Sequence, residues 1–395
     1  MTRLLTTVFA ALIAAAPAMA QDLVITNARI IVGNGQVIER GSVVVRAGRI
    51  ASVAAGAAAA QSGAQTINAN GMTVLAGLID AHRHIISGNA DQWFKTRAAA
   101  AMQEFLDAGY TTLMEGGGQV PAILQLKEKI EKGELKGPRI ITSARADPPN
   151  YLTEDVARAR VREIKNAGID IVKSRIENEP DPKFVALLGI VGDEARKQQI
   201  SLMVHATSPK AMVAAVKAGA TKLVHTPHAG WVTAAEAKIV KDAGIPMLST
   251  IGFGVPVFGV FNKENKPTFR DGKPWPEGIG GAGDGREAGE KAVNARTLWD
   301  AGVIYGFGTD TGYLPKDGLA QELKALNLMF SPQDLIKLMG PNTAAFIDKS
   351  SDRGTLESGK LADLVILDGN PLDGYWNLLN AKVTIKGGVI VADKR

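Results

Sequence analysis

The sequence contains no cysteine, and only 5% of its 395 residues are aromatic. The missing thiols argue against disulfides and a lipidated N-terminal cysteine, and they leave only nitrogen and oxygen ligands for any bound metal. Histidine is also scarce, with five in the whole chain. At 46% hydrophobic residues, the chain still has enough apolar side chains for one large domain, alone or with a smaller accessory domain.

The excess of basic over acidic residues is also small. The chain carries 45 basic and 40 acidic residues, which gives a formal net charge of +5. No basic cluster is interleaved with aromatic residues, so we expect no nucleic-acid partner.

The first 20 residues are typical of a secretory signal peptide. Arg3 supplies the positive charge, residues 4–16 form an apolar segment, and Ala18-Met19-Ala20 is a cleavage site of the A-x-A type. We predict cleavage after Ala20 and a periplasmic or secreted protein; the alternative is an apolar N-terminal helix of the mature domain. No later apolar run approaches the roughly 20 residues that span a bilayer, so we expect no stable membrane association.

The two ends of the chain have the composition of short β-strands. In residues 21–75 and 354–395, β-branched and apolar runs are separated by the turn-forming pairs Asn34-Gly35, Ala47-Gly48 and Gly387-Gly388. We predict that these two segments pair into one small β-sandwich domain.

Residues 76–353 alternate between short apolar strands and stretches with helical periodicity. Most of the predicted helices end near a glycine, as at Ala108-Gly109 and Ala167-Gly168. This α/β pattern predicts a (β/α)8 TIM barrel, and a doubly wound open sheet is the alternative. The eight strands are predicted at residues 78–84, 111–115, 139–143, 169–173, 201–205, 222–225, 246–249 and 303–308.

A long segment at residues 251–289 follows the seventh predicted strand and is rich in glycine, proline and phenylalanine. Long loops after barrel strands lie at the catalytic face. The aromatic residues favour a packed lid, and a disordered insertion is the alternative.

Two of the five histidines, His82 and His84, end the first predicted strand. Side chains alternate along a strand, so these two imidazoles share a face and Arg83 points to the other one. Paired imidazoles at a strand end can bind one divalent ion. A surface pair on an edge strand is the alternative.

His205 and His225 end two further predicted strands, and His228 follows three residues later. Catalytic groups of barrels come from this end of the strands. The chance placement of four of five histidines there is improbable, although hydrogen-bonded core histidines are the alternative.

Asp310 and Lys173 also end predicted strands. Gly306 and Gly308 share a face with Asp310 and predict open space for a ligand below it; a helix N-cap is the alternative role for Asp310. Lys173 is either a solvated strand-end lysine or a buried amine with a lowered pKa, which can take up carbon dioxide as a carbamate.

This constellation resembles the amidohydrolase superfamily, in the branch related to imidazolonepropionases and prolidases. The matching segments are Gly77 to His84, Lys173, His205, His225, Gly308-Thr309-Asp310 and the C-terminal run 354–367. Imidazolonepropionases are single-metal enzymes without the bridging lysine, so Lys173 favours the binuclear, prolidase-like type.

The resemblance implies a role for each matching residue. His82, His84 and Asp310 would hold the more buried ion, and His205 and His225 the other. A carbamate on Lys173 and a hydroxide would bridge two divalent metal ions, with zinc favoured and manganese or cobalt also suitable. Asp310 would act as general base and then as general acid.

The resemblance also implies hydrolysis of an amide bond in a dipeptide, an N-acyl amino acid or a cyclic amide. An ester, lactone or phosphotriester hydrolase with the same site is the alternative, and a non-catalytic scaffold is a third hypothesis. Arg145 and Arg175 could pair with a carboxylate of the small-molecule substrate, and His228 could contact the substrate or a metal. Arg83 stands where the family has a small or apolar residue, and it needs a partner that the sequence does not identify. The sequence leaves open whether the chain forms a homo-oligomer.

Overall fold

The computed structural model describes residues 22–58, 63–147, 153–252, 285–312 and 314–395. The predicted signal peptide lies outside these ranges, as do residues 253–284 of the predicted lid. The structure is a mixed α/β fold in which strands from both chain ends flank a central α/β region. Among the described residues, no helix is long and apolar enough to cross a bilayer.

Seventeen strands are found in the described part of the chain. They are β1 Leu23–Ile31, β2 Val37–Arg46, β3 Arg49–Ala55, β4 Gln65–Asn68, β5 Thr73–Ala76, β6 Leu78–Arg83, β7 Tyr110–Glu115, β8 Arg139–Ile141, β9 Ser143–Arg145, β10 Ile171–Arg175, β11 Ser201–His205, β12 Lys222–Val224, β13 Met247–Leu248, β14 Tyr305–Gly306, β15 Leu364–Leu367, β16 Ala381–Lys386 and β17 Val389–Asp393.

Eleven α-helices accompany them in the described ranges, together with a π-helical turn at Leu338–Asn342 and a 3₁₀ turn at Tyr375–Leu379. The helices are α1 Ala90–Thr96, α2 Ala98–Asp107, α3 Val120–Glu131, α4 Glu154–Asn166, α5 Pro182–Lys197, α6 Pro209–Lys217, α7 Ala234–Asp242, α8 Gly285–Asp300, α9 Pro315–Leu326, α10 Pro332–Lys337 and α11 Thr343–Phe346.

The two chain ends form one continuous sheet, as their predicted pairing requires. Its order is β17-β16-β15-β5-β1-β2-β3, with β4 beside β1. The two ends meet at the antiparallel pair of β5 and β15, where Val74 lies opposite Ile366, and both side chains are fully buried. The two-sheet sandwich stays a prediction, because the described strands at this end form a single hydrogen-bonded sheet.

The glycine-containing turns adopt the backbone that their sequences predict. Ala47 and Gly48 have φ values of 47° and 76°, and they connect β2 to β3. Gly387 and Gly388, with φ values of 56° and 79°, connect β16 to β17. Two successive positive φ values match the twist of a tight antiparallel hairpin.

The central strands are parallel and appear in chain order, as β6-β7-β8 and β9-β10-β11-β12-β13-β14. Only Thr142 separates β8 from β9. The Ala81 amide donates to the Phe307 carbonyl at 3.2 Å, and the Asp310 amide donates to the His82 carbonyl at 2.8 Å. These bonds connect the segment that follows β14 to β6, the first of the central strands, and the closed barrel stays a prediction.

A single apolar cluster lies between these strands. It takes side chains from seven of them, namely Ile79, Ala81, Met114, Ile141, Ile171, Met203, Val224 and Leu248. Each of the predicted strands is present at the predicted place, within two residues at its ends, although the third is divided at Thr142 into β8 and β9. Glycines at the predicted helix ends have the left-handed backbone that stops a helix: Gly109, Gly168, Gly219, Gly244 and Gly302.

The predicted loop at residues 251–289 extends too far. Residues 285–289 belong to α8, although Gly285 and Gly289 have low helix propensity. Burial explains the difference, because Ala292, Ala295 and Leu298 are 5%, 0% and 0% exposed and anchor this helix against the strands.

Candidate metal centre

The first strand carries a β-bulge at the point where its histidines begin. Asp80 pairs with Leu113, but Arg83 pairs with Glu115, so three steps on β6 match two on β7. The bulge places Asp80 and Arg83 on the helix side of the strand. His82, which is 1% exposed, points to the other side, toward His225 and Asp310, and the His84 side chain is 49% exposed.

Asp310 lies against both imidazoles. Its Oδ1 is 3.5 Å from His82 Nε2 and 3.2 Å from His84 Nε2. One ligand atom from each of the three residues lies within 4.8 Å of the other two. Nitrogen and oxygen ligands at about 2.1 Å from a tetrahedral zinc ion would be about 3.4 Å apart, so the three side chains fit a metal ion.

The backbone at Asp310 is unusual, with a φ of +49°. This left-handed conformation is uncommon outside glycine and is often found at functional sites. The helix N-cap alternative does not apply, because the next helix, α9, has Leu314 as its N-cap.

The predicted open space below Asp310 is absent from the described site. A Cβ atom at Gly308 would lie 3.0 Å from His82 Cβ, and one at Gly306 would lie 3.2 Å from Leu248. The small residues are therefore needed because the neighbouring strand and side chains approach closely.

His205 and His225 extend the cluster on the other side of His82. The His225 ring is 5.0 Å from the His82 ring and 4.5 Å from the His205 ring, centroid to centroid. His225 Nδ1 lies 2.8 Å from Thr250 Oγ1, which fixes the rotation of the ring. Like Asp310, His225 has a left-handed backbone, with a φ of +73°.

Lys173 is buried beside this cluster, with 2% of its surface exposed. Its Nζ has no hydrogen-bond partner among the described residues. Burial, which Asp310 opposes and the charge of Arg145 reinforces, lowers the pKa of Lys173 to about 7. The solvated strand-end lysine is therefore wrong, since a buried amine without a partner stands there instead.

The electrostatic environment keeps most of the imidazoles neutral. Burial lowers the pKa of His82 and His225 well below the usual value, and burial together with the charge of Lys173 lowers the pKa of His205 to about 3. His84 is the exception, because hydrogen bonds to Asp310 and Glu115 raise its pKa to about 9. Neutral imidazole is the form that binds metal ions.

The three predicted substrate-binding residues lie around this cluster. Arg145 pairs in strand register with Lys173, and Arg175 pairs with His205. The Arg145 and Arg175 side chains are 47% and 46% exposed, and they contact Asp147 at 3.0 Å and Glu177 at 3.5 Å. His228 Nε2 lies 3.8 Å from Glu287 Oε1 on α8.

Two contacts of the cluster were not predicted from the sequence. Glu115, at the end of β7, is 2% exposed; its Oε1 lies 3.4 Å from His84 Nδ1, and its Oε2 accepts from the Ile85 amide at 2.9 Å. The second is the hydrogen bond between the Thr250 hydroxyl and His225 Nδ1. An acid at the end of a predicted barrel strand was the available signal for Glu115, whereas no signal marked Thr250.

The fold and this cluster define a class: hydrolases built on parallel strands, with histidines and carboxylates at the strand ends. The chain matches the amidohydrolase family over residues 73–392, and it belongs to that family. Within the matched segment, His82, His84 and Asp310 form a group that could hold a metal ion.

Known relatives include the imidazolonepropionase of Geobacillus kaustophilus (strain HTA426). It is 34% identical over 113 residues, which are 26% of this chain and 26% of that protein. The chain thus matches about a quarter of the length of its curated relatives.

Solved structures match almost the whole chain. A Xaa-Pro dipeptidase with methionine bound in its active site is 22% identical, has a TM-score of 0.77, and is matched over 94% of this chain and 99% of that one. A prolidase complexed with n-methylphosphonate-l-proline is 20% identical, has a TM-score of 0.76, and is matched over 94% and 100%. At these identities the likeness establishes the fold alone.

Proposed function

We propose that this chain is an exported, binuclear metal-dependent amidohydrolase on a (β/α)8 barrel. Its substrate would be an amide: a dipeptide, an N-acyl amino acid or a cyclic amide. The observation that carries the proposal is the convergence of six side chains on one mouth of the strand ring: His82, His84, Lys173, His205, His225 and Asp310.

In this proposal the six residues hold two ions. His82, His84 and Asp310 hold one, His205 and His225 hold the other, and a carbamate on Lys173 is shared between them. Zinc, or manganese or cobalt, suits these nitrogen and oxygen donors. When bound, such ions polarise the scissile carbonyl and lower the pKa of the attacking water.

The buried amine supports the carbamate. With a pKa of about 7, roughly half of the Lys173 amines are uncharged at neutral pH. The free electron pair on Nζ adds to the carbon of carbon dioxide, one N–H proton is released, and an anionic group with two oxygens results. Because Nζ has no hydrogen-bond partner among the described residues, the new carboxylate would satisfy an otherwise isolated polar group.

Asp310 is the proposed proton carrier. Its carboxylate accepts the proton of the attacking water and then delivers it to the leaving nitrogen as the carbon–nitrogen bond breaks. The side chain is 12% exposed, so solvent competes little for this proton. Arg145 is the first candidate for a substrate carboxylate, because it adjoins Lys173 and is half exposed; Arg175 and His228 are the others.

Metal analysis and a matched amide and ester pair test the proposal. Purified protein should contain about two divalent ions per chain and hydrolyse the amide. Hydrolysis of the ester alone would favour an esterase or lactonase that uses the same residues. Absence of metal would contradict both and favour a scaffold protein.

Lys173→Ala tests the carbamate directly. The variant should lose the shared ligand and most of its activity, and small carboxylic acids should partly restore turnover by supplying two oxygens. Unchanged turnover and metal content in the variant would refute the carbamate.

A further inference from the structure

Arg83 is fully buried on the side of β6 that faces away from His82 and His84. One guanidinium nitrogen, Nη1, donates to Thr309 Oγ1 at 2.9 Å and to Thr311 Oγ1 at 2.8 Å. These two threonines are the neighbours of Asp310 on either side. The guanidinium also lies over the Phe105 ring, 5.1 Å from its centroid, which fixes the cation from α2.

Asp80 completes the contacts from the same strand. Its Oδ2 accepts from the Thr309 hydroxyl at 2.6 Å, and its Oδ1 accepts from the Thr309 amide at 3.0 Å. The Asp310 amide donates to the His82 carbonyl at 2.8 Å. The segment 309–311 is therefore bound to β6 along its whole length, and the bulge in β6 brings Asp80 and Arg83 to the same side.

The conformation of Asp310 needs such support. A non-glycine residue with a φ of +49° relaxes unless its surroundings hold it. Relaxation would swing the carboxylate away from the two imidazoles that it now approaches within 3.5 Å.

We propose that Arg83 is a positioning residue for the metal site: by binding Thr309 and Thr311 it holds Asp310 in the strained conformation that can share an ion with His82 and His84. This inference rests on the proposed role of Asp310 as a metal ligand. Arg83 itself does not touch the ion or the substrate.

A purely structural role is the competing explanation, and the chain offers a matched control. Lys222 is also a buried cation on a parallel strand, 2% exposed, with its Nζ 2.7 Å from Asp348 and 5.4 Å from the centroid of the Phe346 ring. It lies at the start of β12, at the opposite end of that strand from His225. Loss of either cation should reduce stability, but only Arg83 should affect metal binding.

Gly318 offers a second test that removes no polar group. A Cβ atom at this position of α9 would lie 2.8 Å from Thr311 Oγ1 and 3.0 Å from Arg83 Nη1. Gly318→Ala should therefore displace the threonine or the guanidinium, although alanine favours the helix itself.

The experiment compares zinc affinity and thermal unfolding for the wild type, Arg83→Met, Gly318→Ala and Lys222→Met. Competition with a chromophoric chelator gives the dissociation constant, and scans of the chelator-treated proteins give stability. We expect Arg83→Met and Gly318→Ala to weaken zinc binding by about 10- to 100-fold, and Lys222→Met to leave it unchanged.

Zinc affinity within threefold of the wild type in Arg83→Met would overturn the positioning role. If that variant does not fold, Gly318→Ala decides by the same criterion. An equal loss of affinity in Lys222→Met would show that the effect follows stability alone, and would also overturn it. A wild type that binds none of zinc, manganese and cobalt would refute the proposed function and this inference with it, whereas a zinc-binding wild type with unaffected variants would refute only the inference.

Discussion

Lys173→Met should make the metal-free protein more stable while it removes activity. The substitution keeps an unbranched side chain of similar length in the buried space but removes the amine. That amine is isolated from hydrogen-bond partners in the described structure, and its protonated form is disfavoured by burial and by the charge of Arg145. An increase in stability on this substitution would show that the buried amine destabilises the metal-free protein and is retained for function.

The pKa gives the size of the effect. An unfolded lysine titrates near 10.5, whereas in the folded protein burial lowers the pKa of Lys173 to about 7. Between these values the unfolded chain binds more protons, so wild-type stability rises with pH across this window. Linkage predicts that Lys173→Met gains on the order of 4 kcal/mol at pH 7, and roughly 2 kcal/mol at pH 9, over the metal-free wild type.

Urea unfolding of chelator-treated proteins in buffers free of carbon dioxide measures this difference between pH 6.5 and about 9.5. Lys210→Met is the control, because Lys210 is 67% exposed on α6 and pairs with the exposed Glu179; we expect a change below about 0.5 kcal/mol. Equal stabilities of the wild type and Lys173→Met at pH 7, with parallel pH profiles, would refute a buried amine of lowered pKa.

Three further predictions concern the site and its support. In the metal-free protein Asp310 and Glu115 raise the pKa of His84 to about 9, so metal uptake must release this proton. Metal affinity should therefore rise about tenfold per pH unit up to about pH 9, where His84 of the metal-free protein loses its proton and with it the stabilising contacts. Calorimetry in two buffers of different ionisation enthalpy detects the released proton. A metal affinity that does not change with pH would contradict this prediction. Glu115→Gln should weaken metal binding about tenfold, measured by chelator competition, because His84 loses a charged partner 3.4 Å away. Asp363→Asn should reduce the free energy of unfolding in urea by about 2–3 kcal/mol, because it breaks the 2.8 Å ion pair between Asp363 and Arg139 that joins the terminal sheet to β8. Metal affinity should not change; a lower affinity would show that this ion pair also supports the metal site.

The predictable part of the fold is the part with local signals. The parallel strands are short apolar runs, and most of them are preceded by a helix that ends near a glycine such as Gly109 or Gly168. Both signals depend on residues close in sequence, since a glycine with positive φ ends the helix and the next apolar run must be buried. The strand ends that carry His205 and Asp310 could be predicted for this reason.

The unpredicted part depends on contacts between distant residues. The partners of Arg83 are Thr309 and Thr311, more than two hundred positions away, and nothing near Arg83 in the sequence indicates them. The bulge in β6 is equally hidden, because it depends on the register with β7. Helix α8 begins earlier than expected, since packing against the strands outweighs the low propensity of its glycines.

The seam between Thr73–Ala76 and Leu364–Leu367 has a consequence for synthesis. Strands β1 to β5 are synthesised early, but β5 can pair with β15 only after almost all of the chain has been synthesised. Until then Ile25 and Val74 lack the covering that Ile366 and Val383 later provide, and an open strand edge is a hazard for misassociation. Strands β1 to β5 are thus made early but are among the last to reach their final packing, and a chain that stops before residue 364 should remain dependent on chaperones.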